Sequence, residues 1–249
     1  MPKKESQRLD VLLVERGLVE SRTRAQALIL AGKVLVDGRP VAKAGERVSP
    51  EAGLTLRQAD HPYVSRGGVK LAGALDDFGL DVTGLVALDI GASTGGFTDC
   101  LLQRKAARVY ALDVGRGQLD WKLRQDKRVI ILEGINARYL KAEQLPEPVD
   151  LVVIDVSFIS LRHILGPAAV VLRPGGRMVA LVKPQFELEK KLVGKGGIVR
   201  DAELRARAVD QVAEYATRAG LEVAGRAESK LAGADGNQES FLFLRKPQE

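Results

Sequence analysis

The 249-residue sequence has one cysteine, Cys100, and two histidines, His61 and His163. One cysteine excludes an intrachain disulfide. Three scattered N/S donors are too few for a zinc site, so no metal is expected. A chain without disulfides suits a reducing cytoplasm. Long hydrophobic runs are missing too. The longest, 149–156 and 178–182, fall far short of the ~20 apolar residues of a membrane helix and read as buried strands. No membrane partner is expected. The opening stretch MPKKESQRLD is charged with no apolar core behind it, so no signal peptide is expected.

What is present is enough to fold. Apolar residues make up 45% of the chain and the net charge is +6. A modest basic excess is compatible with a polyanionic partner without proving one.

The pattern changes near residue 60. Residues 1–59 read as a small α+β domain. A helix is expected over 8–16, with Leu9, Leu12 and Leu13 on one face, and Ser21 caps a second over 22–31. Two short strands flank the Asp37-Gly38 turn, and a third is expected over 54–57. Residues 60–64, with Pro62, read as a linker. From 65 to 249 strands and helices alternate. Strands are expected at 85–90, 108–113, 128–132, 150–155, 177–183, 221–228 and 240–245. Helices are expected at 66–78, 95–104, 118–126, 160–172 and 202–218. Such alternation implies an α/β domain, a mostly parallel seven-stranded sheet with helices on both faces. The last two strands lack a helix between them and read as an antiparallel hairpin at one edge. No internal repeat is visible, and no oligomeric state is set.

The strand over 85–90 runs into Gly91-Ala92-Ser93-Thr94-Gly95-Gly96-Phe97 and then a helix. Glycines there let the backbone turn sharply and approach a ligand. Asp113 ends the next strand, where a carboxylate can accept bonds from both ribose hydroxyls of a nucleoside, beside Val114. These features fit a nicotinamide dinucleotide and S-adenosylmethionine alike. Ser93 stands where the second glycine of G-x-G-x-x-G belongs, so no pyrophosphate cradle is built. That favours S-adenosylmethionine and a Rossmann-like methyltransferase domain. Asn136, after the third strand, reads equally as an adenine contact and as a surface loop residue.

Ligands of open α/β sheets sit beyond the C-terminal strand ends, near the switch point. Two charges are delivered there: Asp155 by the fourth strand and Lys183 by the fifth. Lys70, in the helix before the first strand, and Glu239, entering the last, complete a possible constellation that spacing alone does not assemble.

The set Lys70, Asp155, Lys183 and Glu239 resembles the K-D-K-E tetrad of ribose 2′-O-methyltransferases of the FtsJ-like superfamily. The segments Ser65-Arg-Gly-Gly-Val-Lys-Leu71, Asp113-Val-Gly-Arg-Gly-Gln-Leu119, Asp155-Val-Ser-Phe-Ile-Ser160, Val182-Lys-Pro-Gln-Phe-Glu187, Gly194-Lys-Gly-Gly-Ile-Val-Arg-Asp201 and Gly236-Asn-Gln-Glu239 resemble the TlyA family, over essentially the whole chain. The linker departs from that family in having Tyr63 but no Trp. The resemblance implies methylation of a ribose 2′-hydroxyl in ribosomal RNA, on a cytidine, with ribosomal RNA or ribosomal subunits as partner. A ribose hydroxyl is a poor nucleophile, and a lysine takes its proton only when neutral, a form favoured by a neighbouring cation and by desolvation. Lys183 is then the general base, with Lys70 orienting the hydroxyl. Asp155 positions Lys183 and faces the cofactor's sulfonium, while Glu239 fixes Lys70.

Residues 8–41 resemble the ribosomal-protein-S-four-like RNA-binding domain, through Arg8-Leu9-Asp10, Ser21-Arg-Thr-Arg-Ala25, Gly32-Lys-Val34 and Val36-Asp-Gly38. The resemblance makes Arg8, Arg22, Arg24, Lys33 and Arg39 candidates for phosphate contacts. The basic segment 189–195 reads equally as a mobile lip and as an ordinary exposed loop. Three rival readings are weaker. A non-catalytic ribosome-assembly factor has no use for a complete tetrad. A pore former needs a signal, a membrane span or a long amphipathic pattern. A nicotinamide enzyme conflicts with the glycine spacing.

Overall fold

The computed structural model describes residues 6–19, 21–56, 61–233 and 235–248. The chain folds as two compact units, Met1–Asp60 and His61–Glu249.

In the first unit, β1 (Gln7–Arg8) pairs antiparallel with β4 (Arg47–Val48), and β2 (Val34–Val36) lies between β3 (Arg39–Pro40) and β5 (Leu54–Leu56). Helices α1 (Leu9–Glu15) and α2 (Arg22–Leu30) pack Leu9, Leu12, Leu13, Ala25 and Ile29 into one apolar core. Ser21 Oγ accepts from the Arg24 N–H and starts α2. Arg57, expected to end the third strand, lies outside the described residues.

In the second unit, α3 (Arg66–Asp77) precedes β6 (Val86–Ile90), α4 (Gly96–Gln103), β7 (Arg108–Asp113), α5 (Trp121–Arg124), β8 (Val129–Glu133) and β9 (Val149–Ile154). Then follow α6 (Leu165–Val171), β10 (Leu172–Val182), α7 (Pro184–Glu187), α8 (Ala202–Arg218), β11 (Glu222–Glu228) and β12 (Ser240–Arg245). The seven strands order as β11-β12-β10-β9-β6-β7-β8. Neighbours from β10 to β8 are parallel, and β12 runs antiparallel between β10 and β11. The central strands are buried on both faces, which is why they read as continuous apolar runs. One core layer packs α6 and α8 on the sheet, and the other packs α3 and α4 on the opposite face.

Two helices are shorter than the pattern predicts. The helix expected over 118–126 is one turn, started by Asp120, whose carboxylate accepts from the Lys122 N–H. That expected over 160–172 is a 3-10 turn, Leu161–His163, followed by α6, which holds Pro167 in its first turn, where a missing N–H costs nothing. The strand expected from 177 begins at Leu172, with a register shift before Arg177. Of the expected linker, Asp60 lies outside the described residues. Pro62 O accepts from Gln103 Nε2, and the Val64 N–H donates to Asp99, tying 62–64 to α4.

Candidate active site at the switch point

Strand order reverses between β6 and β9, and the chain opens a crevice there. Gly91 leaves β6 with φ of +86°, and a Cβ on it would lie 2.3 Å from Asp155 O. Only glycine allows the two strand ends this close. Ser93 also takes a left-handed φ of +48°, the conformation a second glycine would supply. Its N–H donates to Asp113 Oδ2 at 2.8 Å, while the Gly115 N–H donates to Oδ1 at 2.7 Å. The carboxylate is aimed from both sides and remains half-exposed.

Two cavities meet at this point. One, of about 470 Å³, has an apolar wall of Ile90, Leu112, Ile135 and Ile164 with Asp113, Val114 and Asn136 at its rim. Asn136 Oδ1 caps the next turn by accepting from the Arg138 N–H, so the side chain both holds its loop and faces the cavity. The other cavity, of about 250 Å³, is lined more by charged and hydroxyl side chains. Ala92, Thr94, Gly96 and Phe97 line it, opposite Lys70, Asp155 and Lys183. The cavities share Gly91, Ser93, Asp155 and Ser157. An apolar slot with a carboxylate at its rim fits an adenine and its ribose. The smaller cavity fits an amino-acid tail, and the junction fits the atom between them.

The tertiary fold assembles the tetrad. Lys183 Nζ lies 2.6 Å from Asp155 Oδ1, and Lys70 Nζ donates to Glu239 Oε2 at 2.6 Å. The four side chains are 12%, 23%, 10% and 3% exposed, in the order Lys183, Asp155, Lys70 and Glu239. Glu239 lines neither cavity and reaches the site only through Lys70.

One residue expected at the cofactor does something else. Gly95 lines neither cavity. With φ of +95°, it lets Leu119 and Leu123 pack against the turn before α4, where a Cβ would meet Leu123 Cδ1 at 2.2 Å. Several residues at the site carry no signal in the sequence. Lys183 donates to Ser157 Oγ at 2.9 Å. Arg66 and Ser65 line the smaller cavity. Phe158 is 91% exposed, has a left-handed φ of +65°, and packs its ring 5.2 Å from Phe186. All of these stand inside the segments that resemble the TlyA family, but their chemistry is too ordinary to single out without geometry. Asp89, in β6, is fully buried, and burial pushes its carboxyl up to about 7 against the bonds it accepts from Thr98. Cys100 is buried and its thiol is pushed up to about 12, which removes it as a nucleophile.

In the first unit, Asp10 is fully buried and accepts two bonds from Arg8, one from Arg22 and one from Gln26. Arg8 and Arg22 are therefore held in place from within, with their outer faces exposed; Arg39 is exposed, and Arg24 and Lys33 are half-buried. Leu192 and Val193, in the basic segment 189–195, are partly buried. Leu188 and Val199 on either side of it pack on Ala208, and Lys191 pairs with Glu189. Among the described residues no helix is long and apolar enough to cross a membrane, and no group of three His, Cys, Asp or Glu side chains is placed to hold a metal.

Comparison with known proteins agrees with this geometry. Residues 63–246 match the FtsJ-like methyltransferase family and residues 7–53 the S4 domain. The chain is 50% identical to the 16S/23S rRNA (cytidine-2'-O)-methyltransferase TlyA of Mycobacterium tuberculosis, over 96% of this chain and 89% of that protein. It is 42% identical to Hemolysin A of Brachyspira hyodysenteriae, over 93% and 97%. A solved, hemolysin-named chain from Streptococcus thermophilus superposes with a TM-score of 0.76 at 42% identity, covering 99% of this chain and 90% of its own. The chain belongs to the FtsJ-like methyltransferases, in the TlyA group that carries an S4 domain ahead of the catalytic domain.

Proposed function

We propose that the protein transfers a methyl group from S-adenosylmethionine to the 2′-hydroxyl of a cytidine in ribosomal RNA. The observation that carries this reading is that Lys70, Asp155 and Lys183 line one cavity, each lysine paired with a carboxylate, beside a second, apolar-walled cavity with Asp113 at its rim. When bound, the cofactor supplies a methyl group made electrophilic by a sulfonium. Asp113 would accept from its ribose hydroxyls, Asn136 and Val114 would border its adenine, and Gly91 and Gly96 would allow the backbone to approach it.

The chain's own residues prepare the acceptor. Lys183 would take the proton of the 2′-hydroxyl that is to accept the methyl group. Lys70, held by Glu239, donates to that oxygen and fixes its line of approach, which is a proximity effect. Asp155 holds Lys183 and places a negative charge where the cofactor is positive. The S4 domain contributes phosphate contacts from Arg8, Arg22, Arg24, Lys33 and Arg39, which position the RNA without reading its sequence.

The test is transfer of labelled methyl to purified ribosomal subunits, followed by digestion to nucleosides. Label in 2′-O-methylcytidine with wild-type protein, and only a residual rate with Lys183→Ala at intact cofactor binding, is the expected result. Label on a base, or a Lys183→Ala rate equal to wild type, overturns the reading.

A further inference from the structure

We propose that Ser157 is a positioning residue that aims the lone pair of Lys183 at the substrate hydroxyl. The inference rests on Lys183 acting as the base.

A neutral amine carries two N–H bonds and one lone pair at tetrahedral positions around nitrogen. Rotation about Cε–Nζ exchanges them, so a lysine base needs something to stop that rotation. Among the described residues two groups touch Lys183 Nζ. The Asp155 carboxylate lies 2.6 Å away, without hydrogen-bond geometry. A carboxylate so placed supplies charge but little direction. Ser157 Oγ, at 2.9 Å, accepts a directed hydrogen bond from the amine. With one N–H committed to Ser157, and the negative charge of Asp155 repelling a lone pair beside it, the lone pair is left to the cavity that Lys183 lines.

The surrounding chain is built to hold Ser157 still. It stands two residues beyond Asp155, whose own N–H is pinned to Ile90 O at 2.9 Å. The next residue, Phe158, takes a left-handed φ of +65° although it is bulky and not glycine. Such a conformation persists only where neighbours over-determine it. Here Glu187, at the end of α7, accepts from Ser160 Oγ at 2.6 Å and from the Leu161 N–H at 2.8 Å, and Phe186 packs on Phe158. The segment carrying Ser157 is thus clamped to the helix that follows Lys183, so base and serine move as one body.

The test measures single-turnover methylation of ribosomal subunits by Ser157→Ala, Ser157→Thr, Lys183→Met and the double variant Ser157→Ala/Lys183→Met. Calorimetry with S-adenosylhomocysteine follows each. For Ser157→Ala the expected result is a fall in the chemical rate of roughly 10- to 100-fold. KM for subunits and cofactor affinity stay unchanged. Ser157→Thr, which keeps the hydroxyl, restores most of the rate, and Ser157→Ala has no further effect once Lys183 is Met. An unchanged rate in Ser157→Ala overturns the proposal. So does a loss confined to KM, which would place the serine on the RNA, and so does an equal loss in the Lys183→Met background. If Lys183→Met alone keeps the wild-type rate, the base assignment itself fails, and the proposal with it.

Discussion

The Nζ of Lys70 donates to Glu239 Oε2 at 2.6 Å, across 169 positions of sequence, in a site where both residues are buried. The pair joins the helix before the first sheet strand to the start of the last. Lys183 and Asp155 form a matching pair on neighbouring strand ends. Each lysine at the reaction centre has its own carboxylate.

Removing one partner of the buried pair leaves a charge without water or ligand. Lys70→Met is expected to destabilise the protein by about 3–5 kcal/mol, because Glu239 stays buried and unpaired. Lys70→Met/Glu239→Met removes both charges and should recover most of that stability while remaining inactive. Thermal unfolding and methyl transfer on the same samples separate the two effects.

Gly91 and Gly117 make a controlled comparison. Both have positive φ, +86° and +69°, but a Cβ on Gly91 meets the Asp155 backbone at 2.3 Å, whereas nothing lies within 4 Å of one on Gly117. Gly117→Ala should cost about 1–2 kcal/mol, the left-handed penalty alone, with cofactor affinity retained. Gly91→Ala must displace a strand end and should abolish calorimetric binding of S-adenosylhomocysteine.

Asp10 predicts an acid-sensitive N-terminal unit. Hydrogen bonds from Arg8 hold its carboxyl well below the usual carboxylate range, Gln26 and Arg22 add to this, and burial opposes them. A depressed folded-state value contributes stability that is full above the unfolded value of about 3.9 and is lost progressively as pH falls from there through the lower folded-state value. Hydrogen exchange in α1 and α2, corrected for intrinsic rates, should show this weakening in wild type. In Asp10→Asn the amides should be less protected at neutral pH and respond less to acid.

Phe158 places an apolar ring in solvent at the mouth of the site and takes a left-handed backbone to do so. Every nucleobase has a face on which such a ring can stack, worth about 1–3 kcal/mol per base. Phe158→Gly relieves the backbone and should hold or raise thermal stability. Its KM for subunits should rise about 10- to 100-fold, with cofactor affinity unchanged. Unaltered kinetics would exclude the ring from RNA binding.

Phosphate contacts have their own signature. Subunit affinity should fall steeply with salt, and Arg39→Ala should weaken binding and reduce the log–log slope by about one. A flat salt response would remove the S4 arginines from the phosphate backbone.

The α/β alternation and the glycine turn were legible in the sequence because they are written over short distances. A strand buried on both faces must be apolar over its length, and a charge such as Asp155 or Lys183 that follows it marks where the chain leaves the core. Short-range pattern was weaker at helix lengths. The turn 118–126 carries helix-forming residues, yet only Trp121–Arg124 is helical, because Leu119 and Leu123 are drawn into the packing around Gly95.

Composition, periodicity and the order of motifs by themselves determined that this chain carries a parallel sheet with a ligand crevice after its first strand, and a small basic domain ahead of it. The resemblance already implied which carboxylate holds which lysine, and the structure pairs them so; the tertiary structure alone decided that Gly95 serves packing and that Ser157 is the directed partner of Lys183. The reason is physical. Local patterning reports which residues must leave water, but a pairing such as Lys70 with Glu239 forms only when β12 inserts beside β10 and carries Glu239 to α3.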